Sequence, residues 1–279
     1  MSQPRPVTGL NAEGRLGAID LTWDLPGWEP LVDHFAIHAS DSADVPTTPD
    51  TLVGTTVYGR FSHDTLGPEA VTRYYRLVTV DAAGARSEPS ATAKARTVAS
   101  MAATGRTLAQ VGEFDSKSLE LALAPFDGPN RFRAAFPDGV DFVHGTSDPA
   151  TDWCYLHPGP ADGWGGRTPH TFRLRFSLDS APRGEVGVVL WLIDTHMTVP
   201  GVAEIAVNSD LAGVVEFARG ATRGSLEGDA TVLGTALRPS FEEITLSGDR
   251  FTEGENVVAI TKAEGSWHAY DAVGVFDIG

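Results

Sequence analysis

The strongest constraint on this chain is an alternation of apolar and polar residues with period two that recurs along most of its length. Ala18–Pro26 sets Ile19, Leu21 and Trp23 against Asp20, Thr22 and Asp24. Phe172–Pro182 sets Phe172, Leu174, Phe176 and Leu178 against Arg173, Arg175, Ser177 and Asp179. Alternation of this kind puts one row of side chains on each face of an extended strand. His34–Ser40, Tyr74–Asp81 and Ala203–Asp210 repeat it. Gly187–Asp194 is instead a continuous apolar run, as expected of a strand buried on both faces. Glu242–Gly265 reads as two strands around the turn-rich Thr252–Asn256, and His268–Ile278 as a last strand. No helix-period stretch of useful length competes. The expectation is an all-β chain.

At 279 residues, two domains are expected. Strands near every ten positions up to residue 98 fit a seven-stranded sandwich. Thr97–Arg106 is small and polar and reads as a junction, so the expected division is 1–98, a linker at 99–106, and 107–279. The second part has the strand number and spacing of a jelly roll. No run of eighteen apolar residues occurs, and the start, MSQPRPVTGLNAEG, has no basic stretch leading into an apolar core. The single cysteine, Cys154, excludes an intrachain disulfide and a cysteine-rich zinc site, and reads as a bystander. Net charge is −16, with 8 basic and 12 acidic residues in 1–98 and 13 and 25 in 99–279. That balance argues against nucleic acid and anionic membranes as partners.

Within this β pattern, Ser147–Gly166 stands apart. Pro149, Pro158, Pro160 and the glycines around them bar both a long helix and a central strand. The segment is therefore a long structured loop, the kind of element on which binding residues concentrate. It carries Asp148, Asp152, Trp153, Tyr155, His157 and Trp164, with Arg167 and His170 just beyond. Aromatic faces suit the apolar faces of sugar rings, while carboxylates and imidazoles suit hydroxyls. Arg167 is the natural partner for a uronate carboxylate. The opposite reading has the tryptophans plugging one end of the sandwich core. His196 follows Asp194 by two residues, so on a strand both share a face and could orient one another for acid–base work. His268 and Tyr270 share a face in the same way, opposite Trp267 and Asp271.

Two resemblances cover nearly the whole chain. GLNAEGRLGAIDLTWDLP and YYRLVTVDAAGARSEPS resemble a fibronectin type III domain of the kind attached to bacterial polysaccharide-degrading enzymes, with Trp23 as the core tryptophan. Aligning on Asp81 puts Arg73 where such domains carry a corner tyrosine, next to Tyr74. GEFD, HGTSDPATDW–HPGP, VNSD, GENVVAI and YDAVGVFDI are similar to the C-terminal carbohydrate-binding-like domain of rhamnogalacturonan lyases. The order of the two domains is also the order those enzymes use for their second and third domains.

The resemblance implies a fibronectin type III β-sandwich followed by a galactose-binding-like jelly roll. It implies a carbohydrate-binding accessory region engaging pectic or related plant glycans, with a polysaccharide or oligosaccharide as partner. The family's chemistry belongs to a large N-terminal domain that has no counterpart here, so no catalytic residue is carried over. The catalytic domain or subunit would be a further partner. The expected binding residues are the loop set together with His170, His196 and His268. No cofactor is required. A structural calcium of the sort jelly-roll sugar-binding domains hold would fall to Glu113, Asp115 and Asp271 or Asp277. The resemblance places the parent protein outside the cell, a cytoplasmic role on imported oligosaccharides being the alternative. Two further readings stay open: a lyase or hydrolase acting through Asp148–His170, and an assembly module that binds no glycan.

Overall fold

The computed structural model describes residues 3–25, 32–224 and 227–279. Pro26, the end of the expected Ala18–Pro26 strand, lies outside them. The chain divides into two compact units, Met1–Ser100 and Met101–Gly279.

The first unit contains β1 (Thr8–Arg15), β2 (Ala18–Asp24), β3 (Val32–Ser40), β4 (Leu52–Thr56), β5 (Arg60–His63), β6 (Thr72–Asp81) and β7 (Ala93–Arg96). They form two antiparallel sheets, ordered β1-β2-β5 and β4-β3-β6-β7, the arrangement of a fibronectin type III sandwich. Its core is the apolar row of each alternating strand: Ile19, Leu21 and Trp23 from β2, Phe35 and Ile37 from β3, Tyr75 and Leu77 from β6. Trp23 meets Phe35 edge-on, with ring centroids 5.5 Å apart. At the position where Arg73 displaces the corner tyrosine, Tyr75 supplies the buried hydroxyl, 3.1 Å from His63 Nδ1. Tyr74 instead faces the Lys94 ammonium, 5.9 Å from its ring centroid. Burial lowers the His63 imidazole to about 4 and raises the Tyr75 phenol, so the pair is neutral.

The second unit contains α1 (Met101–Thr104), β8 (Arg106–Gly112), α2 (Gly128–Ala135), β9 (Val140–Val143), α3 (Pro149–Asp152), β10 (Leu156–His157) and β11 (Thr171–Leu178). It continues with β12 (Glu185–Thr195), β13 (Val202–Val207), β14 (Asp210–Glu216), β15 (Ser240–Ser247), β16 (Gly254–Glu264) and β17 (His268–Asp277). One sheet runs β10-β17-β12-β15, with β8 also paired to β17; the other runs β14-β13-β16-β11-β9. The two sheets enclose the main core in a jelly-roll sandwich. The apolar run of β12 faces two ways. Val188, Leu190 and Leu192 enter the main core, while Val189 and Trp191 join Phe276 on the outer side under Met101, Phe114 and Phe241. Met101, within the segment read as a linker, is thus built into this unit, and Gly187 makes room for it: a Cβ there would lie 2.5 Å from the Met101 sulfur.

Two motifs find their cause here. In VNSD, Asn208 and Ser209 adopt φ of 51° and 78°, the left-handed pair of a two-residue hairpin turn between β13 and β14. In GENVVAI, the buried Asn256 accepts from Thr252 N–H at 2.9 Å and from Asn208 Nδ2 at 3.0 Å, locking the β16 edge to that turn. The helix α2 has no counterpart in the sequence expectation. It is too short for its period to show, and is pinned by one core ring, Phe132, stacked on Phe172 at 6.0 Å.

Candidate functional site

Within the Ser147–Gly166 segment the run Trp153–Gly159 is core, so three of the expected binding residues, Trp153, Tyr155 and His157, are enclosed. Asp148 Oδ1 accepts from Ala150 N–H and Asp152 Oδ2 accepts from Asp148 N–H, both at 3.0 Å. This reciprocal cap starts α3 and turns the chain inward. Trp153 follows with no exposed surface, edge-on to Phe172 at 5.3 Å and Phe142 at 6.1 Å. Tyr155 is equally buried. His157 stacks on Phe172 at 3.8 Å. Its Nε2–H donates to the His170 carbonyl at 2.9 Å, since that oxygen can only accept, which leaves Nδ1 to accept from the Tyr270 hydroxyl at 2.8 Å. His268 is buried beside Phe217 and Tyr270, and neither ring nitrogen has a hydrogen-bond partner among the described residues. Burial holds both imidazoles well below their usual range, so both are neutral. A fully enclosed ring cannot stack on a sugar.

Lys262 belongs to the same interior. Its ammonium donates to the Pro200 carbonyl and lies 4.0 Å from the Phe217 ring centroid. Burial lowers it to about 7, with Asp162 opposing the shift. The HPGP turn closes over this group: Gly159 N–H and the Ser266 hydroxyl both donate to the Asp162 carboxylate. A Cβ at Gly159 would meet Gly265 O at 2.4 Å, so only glycine fits there.

The remaining expected residues lie apart. Trp164 is half-buried, edge-on to Phe132 at 6.1 Å. Arg167 is exposed with a φ of 59°. His170 lies 5.0 Å from Phe132 with its Nε2 2.6 Å from Gly165 O. His196 and Asp194 do not form the dyad their spacing allows. His196 Nδ1 accepts from Thr198 and Val199 N–H groups. The Asp194 carboxylate, raised by burial, takes Ala221 N–H and both Thr222 donors.

Two residues of the expected calcium set, Asp115 and Asp271, are tied into local hydrogen bonds. Asp271 Oδ1 accepts from the N–H groups of Asp115 and Lys117 at 3.3 and 3.1 Å, and Asp115 Oδ1 accepts from Lys117 N–H at 3.0 Å. Burial pushes the Asp271 carboxyl well up. Glu113 is among the residues that line the groove described next. Among the described residues, no three His, Cys, Asp or Glu gather to hold a metal.

An open groove of about 600 Å³ lies beside β8, a strand paired only with β17 among the described residues. That volume lies within the usual range for small-ligand sites. Gln110, Glu113 and Glu120 line it, with His144 and Asp148 opposite; Val111, Pro149 and Ala150 supply apolar surface. Gly112 ends β8 with a φ of 76°, and a Cβ there would lie 2.4 Å from Asp271 O. The backbone swings at that point and carries Glu113 into the groove. Glu120 Oε1 then accepts from Glu113 N–H at 3.0 Å. Burial raises the Glu120 carboxyl, with the Asp115 and Glu113 charges adding to the shift. His144 Nδ1 lies 3.1 Å from Gln110 O and 3.3 Å from Gln110 N, holding the strand edge by its imidazole. Chemically, the groove's exposed lining is mostly apolar, with an amide, an imidazole and three carboxylates among its lining residues as acceptors for hydroxyl donors.

Of the expected binding residues, only Asp148 lines this groove, and of the expected calcium ligands only Glu113. Gln110, Glu120 and His144 also line it and were not among the expected residues. His144 stands three residues before the segment singled out, so a loop boundary drawn earlier would have caught it. Nothing in the local sequence marks Gln110 or Glu120.

A family model described as CBM-like, polysaccharide lyase family 4, domain III, matches residues 107–275. The chain belongs to that family. This CBM-like, family 4 domain III membership gives the chain a carbohydrate-related accessory role. No curated protein matches the sequence. Similar solved structures include a human fourth FNIII domain, at 15% identity over 35% of this chain and 82% of that one, with a TM-score of 0.28. A family 35 carbohydrate-binding module from an environmental isolate is similar at 10% identity, over 39% and 64%, with a TM-score of 0.26. A β-1,2-glucanase from Parabacteroides distasonis is similar at 26% identity, over 34% and 14%, with a TM-score of 0.26. The chain spans 33% of a titin A168–A170 chain and 29% of the Clostridium perfringens spore cortex lytic enzyme SleM.

Proposed function

We propose that this chain is the glycan-engaging accessory region of a polysaccharide-degrading system, and that it holds pectic or related plant polysaccharide in the β8 groove. The observation that carries this reading is the groove itself: a mostly apolar lining edged by polar side chains able to receive hydroxyl hydrogen bonds, lying within the residues matched by the CBM-like family. The aromatic run Trp153–His157 supports the groove from beneath by fixing α3, and does not itself touch sugar. A shallow site of this kind gives modest affinity, built from a few hydrogen bonds and one covered face of a sugar ring. The parent protein works outside the cell in this reading, where plant polysaccharide is met. The fibronectin type III unit serves as a spacer.

The test is affinity electrophoresis and calorimetry of the whole chain against rhamnogalacturonan, galactan, arabinan and unrelated glucans. Retention by a pectic polymer, weakened at least about tenfold by Gln110→Ala, is the expected result. Retention by none of them removes the proposal. Retention by glucans alone keeps glycan binding but removes the pectic assignment.

A further inference from the structure

The groove's charge has a consequence for which part of a pectic polymer it can hold. Glu113, Glu120 and Asp148 line it, and no Arg or Lys is among its lining residues. The part of the chain that contains it carries 13 basic against 25 acidic residues, so the surrounding field reinforces the local one. Glu120 is already half-enclosed and under the repulsion of Glu113 and Asp115. A further negative charge brought into the same space has no counter-ion in the wall and three carboxylates against it. A hydroxyl donor meets the reverse situation, since carboxylates are acceptors that make short, strong hydrogen bonds to O–H groups. Arg175, on β11, is spent on Asp141 at 2.6 Å and Glu255 at 3.1 Å, and does not line the groove.

We infer that the β8 groove selects neutral sugar residues and rejects uronates: its ligands are the neutral or methyl-esterified stretches of a pectic glycan, with Glu113, Glu120 and Asp148 as the residues that set this selectivity. The inference rests on the glycan-binding reading above and narrows it. It reverses the expectation that Arg167 receives a uronate carboxylate, because Arg167 is not among the groove's lining residues.

The test compares two probes of one shape. A galacturonic acid trisaccharide and its methyl ester differ in charge at each C6 carboxyl and little else; a neutral galactotriose is the third probe. Calorimetry on the whole chain at low ionic strength should find the ester and the galactotriose bound about tenfold or more tighter than the acid. Added salt should narrow that gap by screening. Glu120→Gln and Asp148→Asn keep the acceptor oxygens that hold Glu113 N–H and Ala150 N–H, so both variants should fold, and each should narrow the gap further. Equal or tighter binding of the free acid overturns the selectivity while leaving glycan binding standing. A gap that neither salt nor the two variants changes assigns the discrimination to shape, and overturns it as well. Free acid that binds well only when calcium is added shows a cation bridging the carboxylates, which also overturns it. Binding of no probe removes the glycan site itself, and the selectivity with it.

Discussion

The groove beside β8 and the interior beneath the HPGP turn are built from the same residue types and use them in opposite ways. In the groove, Glu113, Glu120, His144 and Asp148 line an open wall, where Glu120, His144 and Asp148 also each hold a backbone group. In the interior, His157, Tyr270 and Lys262 turn their polar atoms toward one another or toward backbone carbonyls, and His268 is enclosed beside them, all with no exposed surface. Desolvation decides the difference. An enclosed imidazole or ammonium is driven toward its neutral form, while a polar group left in contact with water keeps its hydration and can exchange it for a ligand. A ring or a titratable group near a loop is thus evidence for binding only once its exposure is known.

The sharpest test of this division is Trp153→Ala. Removing a fully enclosed indole should cost about 3–5 kcal/mol of stability, read by chemical denaturation. A loss below about 1 kcal/mol together with lost glycan retention would return Trp153 to the binding surface.

A second test uses Lys262. Its folded value of about 7 lies below the 10.5 of an open lysine, so protonation favours the unfolded chain. Its contribution to stability is therefore full above about 10.5 and is lost as pH falls through about 7. His157 and His268, lowered below 6.5, add a further loss as pH falls from 6.5. Buried carboxyls such as Asp271, raised by burial, push the other way and are cancelled by comparing variant with parent. Lys262→Met should stabilise the protein by about 1–4 kcal/mol at pH 7 and flatten its stability profile above it. A variant less stable than the parent at every pH would show that the ammonium's contacts with Pro200 and Phe217 outweigh its desolvation.

Asp148→Ala crosses the boundary between the two regions. It should cost about 1 kcal/mol through the lost cap of α3 and also weaken neutral-glycan binding. Arg167→Ala sits at the small end, within about 0.5 kcal/mol and without effect on the groove's ligand. Lost binding in that variant would move the site from β8 to the Gly163–Arg167 turn.

The strands that alternate cleanly, from Ile19 to Trp23 and from Phe172 to Leu178, were legible because half-burial imprints itself on every second residue. The hairpin at Asn208–Ser209 was legible as a turn for a similarly local reason. β8, β9 and α2 were not, because each is held by a partner distant in sequence, as β8 is by β17. The groove was the least legible part. Glu113, Glu120, His144 and Asp148 stand up to thirty-five positions apart and meet only because Gly112 turns out of β8 and α3 folds back toward it.

By itself, then, the sequence determined the all-β class, the two sandwiches and their order, and the family of the second. All of these follow from local periodicity and motif. Only the tertiary structure decided which side of Ser147–Gly166 meets solvent. The segment's rings and its carboxylates are equally polar-tipped and equally flanked by Pro and Gly, and nothing local distinguishes them. What separates them is the space left in the core beside Phe172 and Tyr270, which Trp153 and His157 fill, and the free edge of β8, where Asp148 is left to face water.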